Sequence, residues 1–131
     1  MSDAQPTPGR PWPWRAAATR EAVAEMRRIR ASGAVLVPVR EAGEGVPRVE
    51  KALPPGAVLL RTSGSSGEPR DLVITEEAFA ASTEAARERL DLGADDIWWA
   101  SLSPAHVGGL ALLLRAERLG CGLALTGGFD A

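Results

Sequence analysis

The chain has 131 residues, 17 of them acidic and 15 basic for a formal charge of −2, and 45% of it is hydrophobic. That length and composition exclude a fibrous or wholly disordered chain and fit one domain with a sizeable core, while the near-even charge excludes the footprint of a dedicated nucleic-acid binder. No apolar run approaches the roughly 20 residues that span a bilayer, and the start lacks a basic stretch leading into an apolar one, so the reading is a soluble, cytoplasmic protein with no membrane partner.

Four prolines surround Trp12 and Trp14 in the first fifteen residues, which resists helix and favours an extended arm over residues 1–15. The two tryptophans either fold back onto the domain or mark a docking peptide of the polyproline type. Helix formers dominate residues 16–32, with Val23, Met26, Ile29 and Arg30 on one stripe, and Gly33 is a natural stop. Residues 34–39 form a nearly continuous apolar run, as expected for a strand covered on both faces. A polar loop over residues 40–47 follows, then a short helical turn over residues 49–53. Residues 57–61 and 72–74 are the next two strands. Thr75 is placed as an N-cap ahead of Glu76 and Glu77, opening a helix to about Leu90 with Phe79, Ala86 and Leu90 on its buried face. A turn over residues 92–96, a strand over 97–102, a helix over 107–119 stopped by Gly120, and a strand over 121–126 complete the order. The alternation predicts an α/β fold, a layered sheet flanked by helices.

A single cysteine, Cys121, and a single histidine, His106, exclude an internal disulfide and a cysteine- or histidine-rich metal site. Cys121 reads as a small buried hydrophobe in a strand, and Asp95 and Asp96 as a turn with no third metal ligand nearby. Fourteen of the 15 basic residues are arginine, a compositional skew that does not itself signal arginine chemistry.

The chemistry concentrates in residues 62–70, where hydroxyls and glycines alternate between two strands and a cation follows. Gly64 and Gly67 let backbone N–H groups approach an anion, Thr62, Ser63, Ser65 and Ser66 add hydroxyls, and Arg70 adds charge. This is not the Walker arrangement, which needs a lysine and then a helix; here Pro69 and a strand follow. The plain alternative is a Gly/Ser loop joining two hairpin strands. Its tight bracketing by apolar runs argues against a flexible interdomain linker.

This loop resembles the phosphate-loop signature of the adenylate-forming enzymes, the family of acyl- and aryl-CoA ligases, luciferases and peptide-synthetase adenylation domains, usually Thr-Ser-Gly-Ser/Thr-Ser/Thr-Gly-x-Pro-Lys-Gly. The departures are Arg70 in place of lysine and Asp71 in place of glycine. Arginine keeps the charge but not the compact geometry of an ammonium, and Asp71 sets a negative charge beside the loop. A second segment, residues 98–110, places His106 44 positions after Thr62. It resembles the strand, proline and aromatic/His stretch that lines the acyl pocket in this family. With the continuation through Leu110 to Arg115 it is most similar to the o-succinylbenzoate–CoA ligases of menaquinone synthesis.

The resemblance implies ATP, Mg²⁺ and CoA as cofactors and a small-molecule carboxylate as substrate. Residues 62–67 and Arg70 would hold the β- and γ-phosphates, and His106 would stand in the acyl-pocket wall. A lone histidine also has a plain structural reading, and Arg115 reads as a snorkelling or ion-paired side chain before a carboxylate receptor. Complete relatives carry further segments for adenine, ribose and the catalytic lysine. The expectation is therefore a partial N-terminal AMP-binding domain over residues 16–131, lacking confidently present catalytic residues and inactive alone. Such a piece would tend to self-associate or to need its C-terminal portion. The alternative function is a non-catalytic nucleotide- or anion-binding or interaction module derived from the same family.

Overall fold

Pro11 and Pro13 cannot donate backbone hydrogen bonds and tolerate only extended or edge positions. In the computed structural model, which describes residues 4–41, 43–63 and 67–125, that constraint is met by an edge strand, β1 (Pro11–Arg15). It runs parallel to β2 (Val35–Val39), pairing Pro11 with Val35 and Trp14 with Pro38. From Pro11 onward the extended segment is thus hydrogen-bonded into the sheet. Of the two readings of its tryptophans, packing is realised for Trp14, which is 1% exposed and donates from Nε1 to the Ala22 carbonyl at 2.8 Å.

Helix α1 (Arg20–Ala31) joins β1 to β2, a parallel pair with a helical crossover. Thr19 caps it, its side-chain oxygen accepting from the Ala22 N–H at 3.2 Å. Val23, Met26 and Ile29 form its buried stripe, and Arg30 lies beside them, ion-paired at 3.5 Å to both Glu76 and Glu117. Strand β3 (Val58–Ser63) adds in parallel to β2, and β4 (Pro69–Ile74) turns back antiparallel to β3, giving the order β1-β2-β3-β4.

The continuous apolar run in β2 has the explanation its pattern implies. Leu36, with Ala34, faces the helices, while Val35, Val37 and Val39 face the opposite side, under Val46, Val49 and Leu53 of the connection to β3. That connection contains no helical turn at residues 49–53, contrary to the sequence expectation. Its apolar side chains already cover the sheet from an irregular backbone tied down by the Leu53 N–H donating to the Gly9 carbonyl at 2.9 Å.

Helix α2 (Glu76–Leu90) starts at the Thr75 cap as its sequence requires, with Phe79 and Thr83 buried. Leu90, placed on the buried face by spacing, is 63% exposed, because the helix ends there in a left-handed Asp91 and its last turn stands clear of the core. A second parallel pair follows: β5 (Ile97–Ala100), α3 (Val107–Leu119) and β6 (Gly122–Leu125). Leu110, Leu113 and Leu114 join Trp14, Met26, Leu36 and Phe79 in one core. The outer side of β5 leaves Ile97 and Trp99 exposed, whereas Trp98 is half-buried. Arg28 and Arg87 hydrogen-bond Glu25 and Glu84 one turn back and hold those carboxyls below their ordinary range. Each pair supports its helix above the ordinary carboxylate pKa, and that support is lost as pH falls through the lowered one. No helix among the described residues is long and apolar enough to cross a membrane.

Candidate functional site

Parallel strands such as β1, β2 and β3 point their carboxyl ends the same way, and ligands collect beyond such ends. Here the ends of β2 and β3 and the start of α3 converge on an open cleft of about 560 Å³ lined by Arg40, Glu44, Thr62, Pro69 and His106, among others. The two motifs separated in sequence therefore meet: Thr62, at the foot of the phosphate-loop segment, and His106 share one cavity.

Thr62 lies directly opposite Arg70 in the β3–β4 register, and its hydroxyl donates to the Arg70 carbonyl at 3.3 Å. A hydroxyl has a single proton, so Thr62 can donate to an incoming anion only by releasing that carbonyl. Arg70 is exposed and does not line the cleft. Asp71 is not a bare negative charge beside the loop, because Arg61, opposite it in register, donates from Nε to its Oδ1 at 3.1 Å. Gly67 takes a left-handed φ of +84° with nothing among the described residues within 4 Å of where a Cβ would stand. Gly64, Ser65 and Ser66 lie outside the described residues, and for Ser63 the backbone alone is placed, in β3. The antiparallel pairing makes the loop a hairpin connection.

His106 occupies the N-cap position of α3 with extended backbone, φ −106° and ψ 153°, and its ring does not cap the helix. Instead Nε2 lies 3.1 Å from Arg40 Nη2. The Arg40 backbone N–H donates to Glu44 Oε2 at 2.9 Å. By composition Arg40 opens a polar surface loop; the signal in the sequence is its place immediately after the last residue of a buried parallel strand. Arg115 is outside the cleft and ties α3 to α2 by donating to Ser82 Oγ at 2.9 Å. Cys121 sits just before β6, half-buried, its thiol directed at the Gly93 carbonyl 3.1 Å away. Among the described residues no cluster of three His, Cys, Asp or Glu side chains is arranged to hold a metal ion.

No family model matches the chain. Among curated proteins it is 36% identical over 77 residues to a probable 2-succinylbenzoate–CoA ligase of Mycobacterium tuberculosis, a match covering 56% of this chain and 20% of that protein. The 2-succinylbenzoate–CoA ligase of Bacillus mycoides is 33% identical over 82 residues, covering 63% and 17% respectively. The chain thus spans about a fifth of the length of these relatives. Among solved structures, the Bacillus subtilis o-succinylbenzoate–CoA synthetase in complex with AMP superposes with a TM-score of 0.77 at 16% identity, over 95% of this chain and 45% of that one. A malonyl-CoA ligase with methylmalonyl-CoA and AMP bound gives 0.73 at 21% identity, over 93% and 36%. The shared fold is that of the N-terminal domain of adenylate-forming enzymes. In sequence the chain is similar to 2-succinylbenzoate–CoA ligases over part of its length, and in fold to the N-terminal domain of adenylate-forming enzymes.

Proposed function

We propose that the chain provides the phosphate-binding and acyl-pocket portion of an ATP-dependent acyl- or aryl-CoA ligase, with o-succinylbenzoate, an intermediate of menaquinone synthesis, as its carboxylate substrate. The observation that carries this reading is the meeting of Thr62 and His106 in one cleft at the carboxyl ends of β2 and β3.

In the reaction a substrate carboxylate oxygen attacks the α-phosphorus of ATP, the bond to the β-phosphate oxygen breaks, and pyrophosphate leaves. The acyl adenylate is then attacked by the thiol of CoA, which releases AMP. The chain's part in the first step is positioning and electrostatic support. The loop from Thr62 to Gly67 receives the β- and γ-phosphates, Thr62 turning its hydroxyl from the Arg70 carbonyl to a phosphate oxygen. Arg70, exposed on β4 beside the loop, adds positive charge. His106 lines the acyl side of the cleft. Magnesium supplies charge neutralisation to the phosphates when bound; within the cleft Glu44 and the Thr62 hydroxyl are oxygen donors of the kind it takes, with water and phosphate completing the shell.

Two results test this. Calorimetric titration with Mg-ATP is expected to show binding to the intact chain that weakens about fivefold to tenfold in Arg70→Ala, roughly 1 to 1.4 kcal/mol. Equal affinities remove Arg70 from the phosphate site, and no binding by either protein overturns the phosphate-loop reading in favour of a non-catalytic interaction module. Incubated with ATP, Mg²⁺ and o-succinylbenzoate, the chain by itself is expected to release no pyrophosphate above background, since it spans about a fifth of its relatives' length. Sustained release would refute the claim that this portion alone cannot turn over.

A further inference from the structure

The contact between Arg40 and His106 joins residues 66 positions apart across the mouth of the cleft, and neither motif of the sequence includes Arg40. Its chemistry has one solution. A guanidinium carries only donors, so at 3.1 Å Nη2 donates and Nε2 of the ring accepts. The ring proton then lies on Nδ1, because which imidazole nitrogen is protonated is set by the hydrogen bond the other makes. This is the reverse of the tautomer that a free imidazole side chain favours in water.

Arg40 is itself held at its root. It follows β2 directly, and its N–H is tied to Glu44 Oε2 at 2.9 Å, so the side chain leaves a fixed point at the strand end. On the other side of the cleft His106 is fixed by backbone bonds: its N–H donates to the Ser103 carbonyl at 3.2 Å and its carbonyl accepts from Leu110 at 3.0 Å. Two anchored backbones thus hold the pair, with both side chains exposed to the cavity.

We propose that Arg40 is a positioning residue that fixes His106 as the Nδ1–H tautomer, so that the ring serves the cleft as a hydrogen-bond donor to a carboxylate or carbonyl oxygen and not as a base. The donor role rests on the reading of this cleft as an acyl-substrate site; the tautomer does not. An Nε2 already accepting from Arg40 has no lone pair left for a substrate proton, whereas Nδ1–H is matched to the oxygen of an acid.

Because His106 is the sole histidine, long-range proton–nitrogen correlation spectra of the ¹⁵N-labelled chain contain one set of ring signals. Recorded in alkaline buffer, the wild-type spectrum is expected to show a protonated Nδ1 and an unprotonated Nε2. Arg40→Met should move the proton predominantly to Nε2, and Arg40→Lys, which retains a donor, should restore part of the wild-type pattern. An Nε2–H ring in the wild type, or a pattern unchanged in Arg40→Met, overturns the positioning role. Addition of o-succinylbenzoate is expected to shift the Nδ1 signal of the wild type and to require at least about fivefold more ligand in Arg40→Met, equivalent to about 1 kcal/mol. A ring unmoved by o-succinylbenzoate, with the tautomer as expected and Mg-ATP bound normally, overturns the donor role while leaving the phosphate-loop reading intact.

Discussion

Replacing Gly109 with alanine is expected to destabilise the chain by at least about 2 kcal/mol, even though alanine is the better helix former. A Cβ at Gly109 would stand 2.3 Å from the Ser103 carbonyl oxygen, 2.6 Å from its carbon and 2.8 Å from the Leu102 oxygen. All three are backbone atoms, so no side chain can swing aside, and the first turn of α3 must lift off the segment beneath it. Its neighbour gives the control. At Gly108 the nearest atom to an added Cβ is Leu102 Cδ1 at 3.7 Å, ordinary contact, so Gly108→Ala should be neutral or gain a few tenths of a kcal/mol from the roughly 1 kcal/mol helix preference. Thermal unfolding of the two variants decides it: Gly109→Ala melting at or above the wild type would sink the close-packing argument. The site is implicated as well, because lifting this turn carries His106 away from Arg40, and the tautomer pattern should be lost along with stability.

Trp14→Ala should cost about 3 to 5 kcal/mol, a large part of the stability of a chain this size. The side chain is 1% exposed, sits in the main core, and its indole N–H is bound to the Ala22 carbonyl at 2.8 Å, so the truncation removes both packing and a hydrogen bond. Trp14→Phe keeps most of the apolar contact and should cost much less, about 1 to 2 kcal/mol. Denaturant unfolding separates these from a peripheral role, in which both variants would match the wild type within about 0.5 kcal/mol. Trp12, which pairs with Leu36 but is half-exposed, should be the more tolerant of the two positions.

Where local physics dominates, the sequence was legible. Thr19 and Thr75 act as N-caps because their side-chain oxygens accept from N–H groups three residues on. Of the two, Thr75 is the one its local sequence marks, with Glu76 and Glu77 following it. Gly120 ends α3 in the left-handed conformation. The apolar run of β2 reads as two-sided burial and is buried on two sides. The failures arise where tertiary context outweighs spacing. Leu90 has helical spacing from Phe79 and Ala86, yet no layer among the described residues extends far enough to cover it. Residues 49–53 have helix-compatible composition, but their apolar side chains are claimed by the sheet from an irregular path.

The amino-acid sequence by itself determined the order of α1 to α3 and β2 to β6, the Thr75 cap, the two motif segments and the family they resemble, because each depends on residues adjacent or a few positions apart; it showed β1 only as an extended arm and suggested a helical turn at residues 49–53 that the fold does not contain. It carried no sign that Asp71 is neutralised by Arg61, which needs the β3–β4 register, or that Arg40 reaches His106. The first contact exists because β3 and β4 pair antiparallel, the second because β2 and β3 lie side by side and parallel while α3 begins beyond their carboxyl ends. That arrangement is set by burying both faces of β2, a condition met by the whole fold at once. The tertiary structure therefore decided which polar side chains share the cleft and which nitrogen of His106 lies against Arg40.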